Sequence, residues 1–226
     1  MSTAPVFDVY AERYDAWYRV HRLVAESEVL AAREALRGSR GPCLEVGVGS
    51  GFFASRLGCD YGVDPSPAML RLARARGIQA ILGRGEALPI AASRLPSILI
   101  VVTICFADDP QALLSEAARA LEAGGVLALC IVPRDTPWGR LYWSQARLGH
   151  PLYSKARFYT LQEAAAMLAR AGLEVEGVVA TLSYPPWARP RVEEPHPYTG
   201  KEGFACIRAT RGDEVARKGG GPPWGP

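Results

Sequence analysis

Apolar and polar positions along this chain switch repeatedly between a helical and a strand period, which predicts alternating helices and strands. The segment Asp8 to Leu36 has helical spacing, with Tyr10, Tyr14, Trp17 and Tyr18, then Leu23, Val24, Val29 and Leu30; Gly38, Gly41 and Pro42 end it. Pro42–Val48 reads as a first strand, Gly51–Leu57 as its helix and Tyr61–Asp64 as a second strand. The next helix has Ser66 as its cap, Pro67 in its first position and Gly77 past its end. Ile78–Leu82 is a short third strand, and the apolar run Ser97–Ile104 suits a central strand covered on both faces. Asp108 or Asp109 then caps a helix starting at Pro110, with Leu113, Leu114, Ala117, Ala118 and Leu121 as its buried stripe and Gly124-Gly125 as its close. Val126–Val132 is the fifth strand. Thr160 and Glu163 form a capping box for a helix to Ala171, and Leu173–Leu182 and Gly203–Ala209 are the last strands.

Strands separated by helices predict βαβ units and a doubly wound, mostly parallel α/β sheet. Two stretches interrupt the rhythm. Pro133–Tyr159 carries Trp138, Tyr142, Trp143, Tyr153, Phe158 and Tyr159, and Ser183–Glu202 is rich in proline. Aromatic loops at the mouth of such a fold often act as lids, although packing inside the domain or at a homodimer contact explains the same residues. The expected organisation is a helical cap over 1–41, an α/β domain over 42–209 with a lid-like insertion at 133–159, and a tail over 210–226. That tail ends in GGGPPWGP, a composition that predicts disorder.

The chain has 226 residues, 49% of them apolar, enough for one domain with a real core. A net charge of +3 is mild, and its bases are almost all arginine, with lysine only at 155, 201 and 218. No lysine-rich tract favours a nucleic-acid partner, no 18-residue apolar run would span a membrane, and the first ten residues do not resemble a signal peptide. Five cysteines without close spacing argue against a disulfide framework, and His21, His150 and His196 are too far apart for a metal set. The expectation is a reduced, cytoplasmic, metal-free protein.

The chemistry concentrates in Leu44–Phe53, LEVGVGSGFF, and in Asp64 at the second strand's end. A strand, a glycine turn and a helix start aim backbone amides at one spot. Asp64 is placed to accept hydrogen bonds from both hydroxyls of a ribose. The loop is G-x-G-x-G, with Phe52 where a dinucleotide fingerprint wants its third glycine. Glu45 just before the loop would repel a pyrophosphate but attract an amino group and a sulfonium.

In Glu45, the G-x-G-x-G loop and Asp64, the chain resembles the class I S-adenosylmethionine (SAM)-dependent methyltransferases. The resemblance covers about Tyr10 to Ala209 and implies a seven-stranded sheet whose last pair includes an antiparallel strand. It implies that Gly47, Gly49 and Gly51 lie under the methionyl group, that Glu45 faces its ammonium directly or through water, and that Asp64 holds the ribose. Pro65 and Met69 would line the adenosine, and Thr103 and Ile104, at the end of strand four, would close the crevice. Gly83–Pro89 resembles the family's adenine-side motif, G-D-A-E-x-L-P, through Glu86, Leu88 and Pro89. Arg84 stands where the motif has its aspartate, so Gly85, Glu86 and Ala87 are left to face the adenine. The opening YAERYDAWY is similar to a helix that closes over the cofactor in small-molecule members; Tyr14 is the candidate there. Tyr10, Tyr18, Phe106, Trp138 and Tyr142 are candidates for an acceptor pocket.

No histidine stands at the end of strand four, and Asp108 and Asp109 are explained as helix caps, so no general base is evident. Methyl transfer is an in-line displacement at an activated carbon, and positioning alone supplies about 7–11 kcal/mol. The expected function is methyl transfer from SAM to a small-molecule nucleophile, leaving S-adenosylhomocysteine (SAH). A nucleic-acid or protein methyltransferase, a SAM-binding regulator without turnover and a dinucleotide oxidoreductase are the rival readings. Thr103–Phe106 lacks the [N/D/S]-P-P-[Y/F/W] motif of base-amino methyltransferases, and the chain lacks the paired cysteines of arsenite methyltransferases.

Overall fold

In the computed structural model, residues 3–212 are described. The chain begins with two helices, α1 (Ala4–Val20) and α2 (Arg22–Ala35), separated at His21. Strands and helices then alternate: β1 (Cys43–Val46), α3 (Phe52–Leu57), β2 (Tyr61–Asp64), α4 (Pro67–Ala75), β3 (Gln79–Leu82), β4 (Leu95–Val101), α5 (Pro110–Ala120) and β5 (Leu121–Ile131). After α6 (Pro137–Arg147) and a single 3₁₀ turn (Tyr153–Lys155) come α7 (Leu161–Arg170), β6 (Leu173–Thr181), β7 (His196–Pro197) and β8 (Phe204–Arg211).

The sheet order is β3-β2-β1-β4-β5-β8-β6-β7. β1 to β5 are parallel, β8 runs antiparallel between β5 and β6, and the two-residue β7 adds an eighth strand outside the expected seven. Successive residues of the central strands feed opposite layers, as the two-residue period of a strand requires. Leu44, Ile98, Ile100, Leu127 and Leu129 pack with α5 and α7 on one face. Cys43, Leu99, Val101, Ala128 and Cys130 pack with α2 and α3 on the other. Both faces are apolar because both are covered.

Local signals set the helix starts. Ser66 Oγ accepts from Met69 N at 3.2 Å, Asp109 accepts from Ala112 N at 2.9 Å, and Thr160 with Glu163 makes the reciprocal capping box. Several boundaries differ from the sequence reading, among them β4, which spans Leu95–Val101 and stops before the left-handed Val102 instead of running over 97–104. Leu121 opens β5 instead of ending α5; it pairs with Leu95, and a bulge over 122–125, where Gly124 has φ +70°, precedes the regular pairing from Val126. The insertion after β5 folds into α6, capped by Thr136 Oγ1 accepting from Gly139 N at 3.2 Å. Thr210 and Arg211, assigned to the tail, extend β8, where the Arg211 guanidinium is drawn in by the Ala118 and Arg119 carbonyls at 3.2 Å. The remainder of the expected tail, 213–226, lies outside the described residues.

The cysteines overturn the expectation of free thiols. Cys43 is bonded to Cys59 and Cys130 to Cys206, leaving Cys105 as the free cysteine among the described residues. Separations of 16 and 76 residues concealed pairs that the sheet brings side by side; Cys130 and Cys206 are register partners on β5 and β8. No helix among the described residues is long and apolar enough to cross a membrane.

Candidate active site

Two cavities meet beyond the carboxyl ends of β1, β2 and β4, the place where open parallel sheets bind ligands. The first gathers nine of the cofactor candidates: Tyr14, Gly47, Gly49, Asp64, Pro65, Met69, Gly85, Glu86 and Thr103. The second has a volume of about 230 Å³ and gathers Tyr10, Tyr18, Ile104 and Tyr142. Tyr14, Val102 and Phe106 line both.

The floor of the first cavity is the glycine loop. Gly47 N and Val48 N both donate to Val63 O, at 2.8 and 3.0 Å, which turns the chain sharply off β1. Gly47 has φ +72°, and a Cβ there would collide with the side chain of Thr103. That space is open only because the residue is glycine. Asp64 is 8% exposed, and its two carboxylate oxygens accept from Gly49 N at 2.9 Å and Ser66 N at 2.8 Å. Each oxygen keeps acceptor capacity toward the cavity, since a carboxylate offers about four lone-pair sites. Burial and the nearby Asp8 carboxylate outweigh these hydrogen bonds and raise its pKa.

Glu45 lies behind the loop. It is 2% exposed, Oε2 accepts from Ala54 N in the first turn of α3 at 2.8 Å, and it does not reach the cavity wall. Burial keeps its pKa well above the usual carboxylate range. Gly51 is likewise structural, with a Cβ position only 3.0 Å from Ala73 Cα. Ala87 folds back in a bridge to Arg84 and stays off the wall.

The adenine-side segment is braced by charge. Glu86 Oε1 accepts from Asp108 N at 2.9 Å, and Arg84, on the cavity rim, pairs with Asp108 at 2.6 Å and Glu86 at 3.5 Å. Glu86 is therefore a bound carboxylate, not a solvated loop charge. These two acidic partners account for an arginine where the motif has aspartate.

Helix α1 closes both cavities and is fastened at several points. Asp8 Oδ1 accepts from Ser66 Oγ at 2.6 Å and Ala68 N at 3.1 Å, tying α1 to the start of α4. The Asp15 carboxylate takes both its oxygens to Arg76 at 2.8 and 3.0 Å, while Arg76 also donates to Ser50 O in the glycine loop at 2.7 Å. Burial would raise the pKa of Asp15, but Arg76 lowers it overall. Tyr18 stacks on Phe52 with centroids 3.9 Å apart, and Tyr18 OH donates to Tyr14 OH at 3.2 Å. Burial pushes both phenols upward.

At the junction, Val102 adopts φ +50°, a left-handed conformation costly for a β-branched residue, and Val102 N donates to Cys130 O at 2.9 Å. Strain held in place this way clusters at functional sites. The second cavity also contains residues that were not among the site candidates: Trp17, Glu28, His150 and Tyr153. Glu28 is 7% exposed, and its carboxylate makes no hydrogen bond or ion pair among the described residues. Burial moves its pKa from 4.5 to about 8. The signal was present: four residues after Val24 and four before Ala32, it is a charge inside the apolar stripe of α2.

Trp138 is corrected by the structure. Its ring is buried against Gly203, its Nε1 donates to Tyr184 O at 2.7 Å, and it does not line the second cavity. An indole with a buried N–H needs a partner, and the core supplies one.

Residues 44–129 match the family described as "Methyltransferase domain". An uncharacterized protein of Mycobacterium tuberculosis is 40% identical over 203 residues, 88% of this chain and 71% of that protein. An uncharacterized protein of Methanocaldococcus jannaschii is 33% identical over 206 residues, 91% of this chain and 98% of that protein. A crystal structure from Thermotoga maritima, described as a SAM-dependent methyltransferase and possible histamine N-methyltransferase, superposes with TM-score 0.87 at 36% identity, covering 92% of this chain and 99% of that one. The glycine loop on β1, the acidic end of β2, the sheet order and these likenesses converge, and the chain belongs to the class I SAM-dependent methyltransferases.

Proposed function

We propose that this methyltransferase acts on a small-molecule nucleophile held in the second cavity. The observation that carries this reading is the chamber of about 230 Å³ beside the glycine-loop cavity, with Tyr14, Val102 and Phe106 lining both. Pockets for drug-sized ligands run to about 300–1,000 Å³, so this chamber suits a metabolite, not a polymer. The description of the Thermotoga maritima relative fits the same class of acceptor.

SAM, when bound, supplies an electrophilic methyl on a positively charged sulfur. The fit to the first cavity rests on two features: a floor that a Cβ at Gly47 would fill, and a buried Asp64 with acceptor capacity to spare. On this reading Asp64 holds the ribose hydroxyls, Pro65 and Met69 line the nucleoside, and Gly47 and Gly49 lie under the methionyl group. Glu45 orients α3 and the loop from behind. Tyr14 and Phe106 stand between the chambers, screen the reacting centre from water and turn aromatic surface toward positive charge. The protein contributes chiefly by alignment.

Radiolabelled methyl transfer from SAM into a fractionated metabolite extract tests the reading. Label in low-molecular-weight product is expected. Label confined to protein or nucleic acid, or SAM binding without transfer to any fraction, refutes it.

A further inference from the structure

We propose that Glu28 is the recognition point for a cationic acceptor: the second cavity binds a small amine or other organic cation whose positive charge pairs with this carboxylate. This deepens the small-molecule reading and rests on it.

Glu28 has an unmet need. It is 7% exposed, lines the cavity, and has no ion-pair or hydrogen-bond partner among the described residues. A buried charge without a partner is strongly unfavourable, so such groups are rare unless something completes them. The protein's own cations do not. Arg157, across the cavity, gives its guanidinium to Asp108 O at 3.1 Å and its amide to Cys105 O at 2.7 Å. Arg13 is exposed and makes no ion pair with Glu28. His150 stacks on Tyr153 with centroids 4.2 Å apart, and burial together with Arg13 lowers its pKa, so it stays neutral.

The walls favour the same ligand. Tyr14, Tyr18, Tyr142 and Tyr153 all have phenols raised by burial, Tyr153 to about 12, so they present neutral rings near neutral pH. The Cys105 thiol, also pushed to about 12, adds no negative charge. Aromatic faces attract cations and give neutral or anionic ligands no such advantage. One carboxylate among aromatic rings is a receptor for an ammonium. A hydroxyl-only acceptor would leave Glu28 protonated and gain no ion pair, whereas an ammonium favours its ionised form.

The test is calorimetry on the SAH-saturated protein with three probes of similar shape: 2-phenylethylamine, 2-phenylethanol and 3-phenylpropionate. The amine should bind about 10- to 100-fold more tightly than the alcohol, the range of a charge-assisted hydrogen bond, and the carboxylate least. Glu28→Gln should erase the preference while SAH binding, from a cavity Glu28 does not line, stays intact. Equal binding of amine and alcohol, a preference that survives E28Q, or no amine binding to SAH-loaded protein overturns the proposal. If E28Q fails to bind SAH, the wild-type comparison decides alone. Failure of wild-type protein to bind SAH refutes the cofactor reading beneath it instead.

Discussion

Glu28 should make stability depend on pH even without a ligand. Its proton is held more tightly in the folded chain, where its pKa is about 8, than in the unfolded chain, where 4.5 applies. A raised folded pKa contributes stability that is complete below the unfolded value and lost as pH climbs through the folded one. The window therefore runs from about pH 4.5 to about pH 8, with the protein weakening toward the alkaline side. A tenfold change in proton affinity corresponds to about 1.4 kcal/mol, which sets an upper bound of about 5 kcal/mol when the carboxylate is fully ionised. Water entering the cavity reduces this, and about 3 kcal/mol between pH 5 and pH 8 is the working expectation. For a domain of this size that is about 6–12 °C in Tm. Glu28→Gln keeps the shape and removes the titration. Scanning calorimetry of both proteins without ligand should show E28Q close to wild type near pH 5 and more stable by that margin near pH 8. The difference between the two cancels Glu45, Asp64 and the other titrating groups. A gap that is the same at both pH values refutes the assignment of a buried, unpaired carboxylate.

Four further outcomes follow from the site. Asp64→Ala should weaken SAH binding by about 1.5–3 kcal/mol, the loss of hydrogen bonds to a charged acceptor, and unchanged affinity by calorimetry would remove Asp64 from the cofactor site. Gly47→Ala forces a side chain onto Thr103 at φ +72° and should lower stability by about 1–3 kcal/mol and abolish tight SAH binding; wild-type values in both measurements contradict the role given to the glycine. Arg76→Met removes the bidentate partner of an Asp15 side chain only 5% exposed and leaves it the longer Arg19 contact at 3.5 Å; with water reaching the site beside the 27% exposed Arg76, a loss of about 2 kcal/mol in urea unfolding is expected. Thiol titration of the denatured, unreduced protein should find one reactive cysteine, Cys105, and all five after reduction; five without reduction contradicts the paired sulfurs.

What the chain discloses before folding is what local physics controls. Caps at Ser66, Asp109 and Thr160 and the apolar runs of β4 and β5 place most elements within a few residues. The glycine loop and Asp64 are legible for the same reason: spacing along two adjacent strands fixes their meeting point. Contacts between distant segments are not legible that way. Cys130 and Cys206 become neighbours only through sheet order, and Trp138 turns into the core because Tyr184, 46 residues on, offers a carbonyl. Glu45 was expected to face the cofactor's ammonium, directly or through water; its Oε2 accepts from the Ala54 amide and it stands behind the loop, off the cavity lining. Glu28 was hidden by the habit of reading charge on a helix as surface.

A single rod, α1, serves as partition between two rooms, stitched to the nucleoside side through Asp8 and Asp15 and interrupted at His21 before the next helix. Traffic through such a house is sequential. A donor seated in the first room would rest against Tyr14, the residue that also walls the second. Turnover should follow a compulsory order, methyl donor in first and spent donor out last.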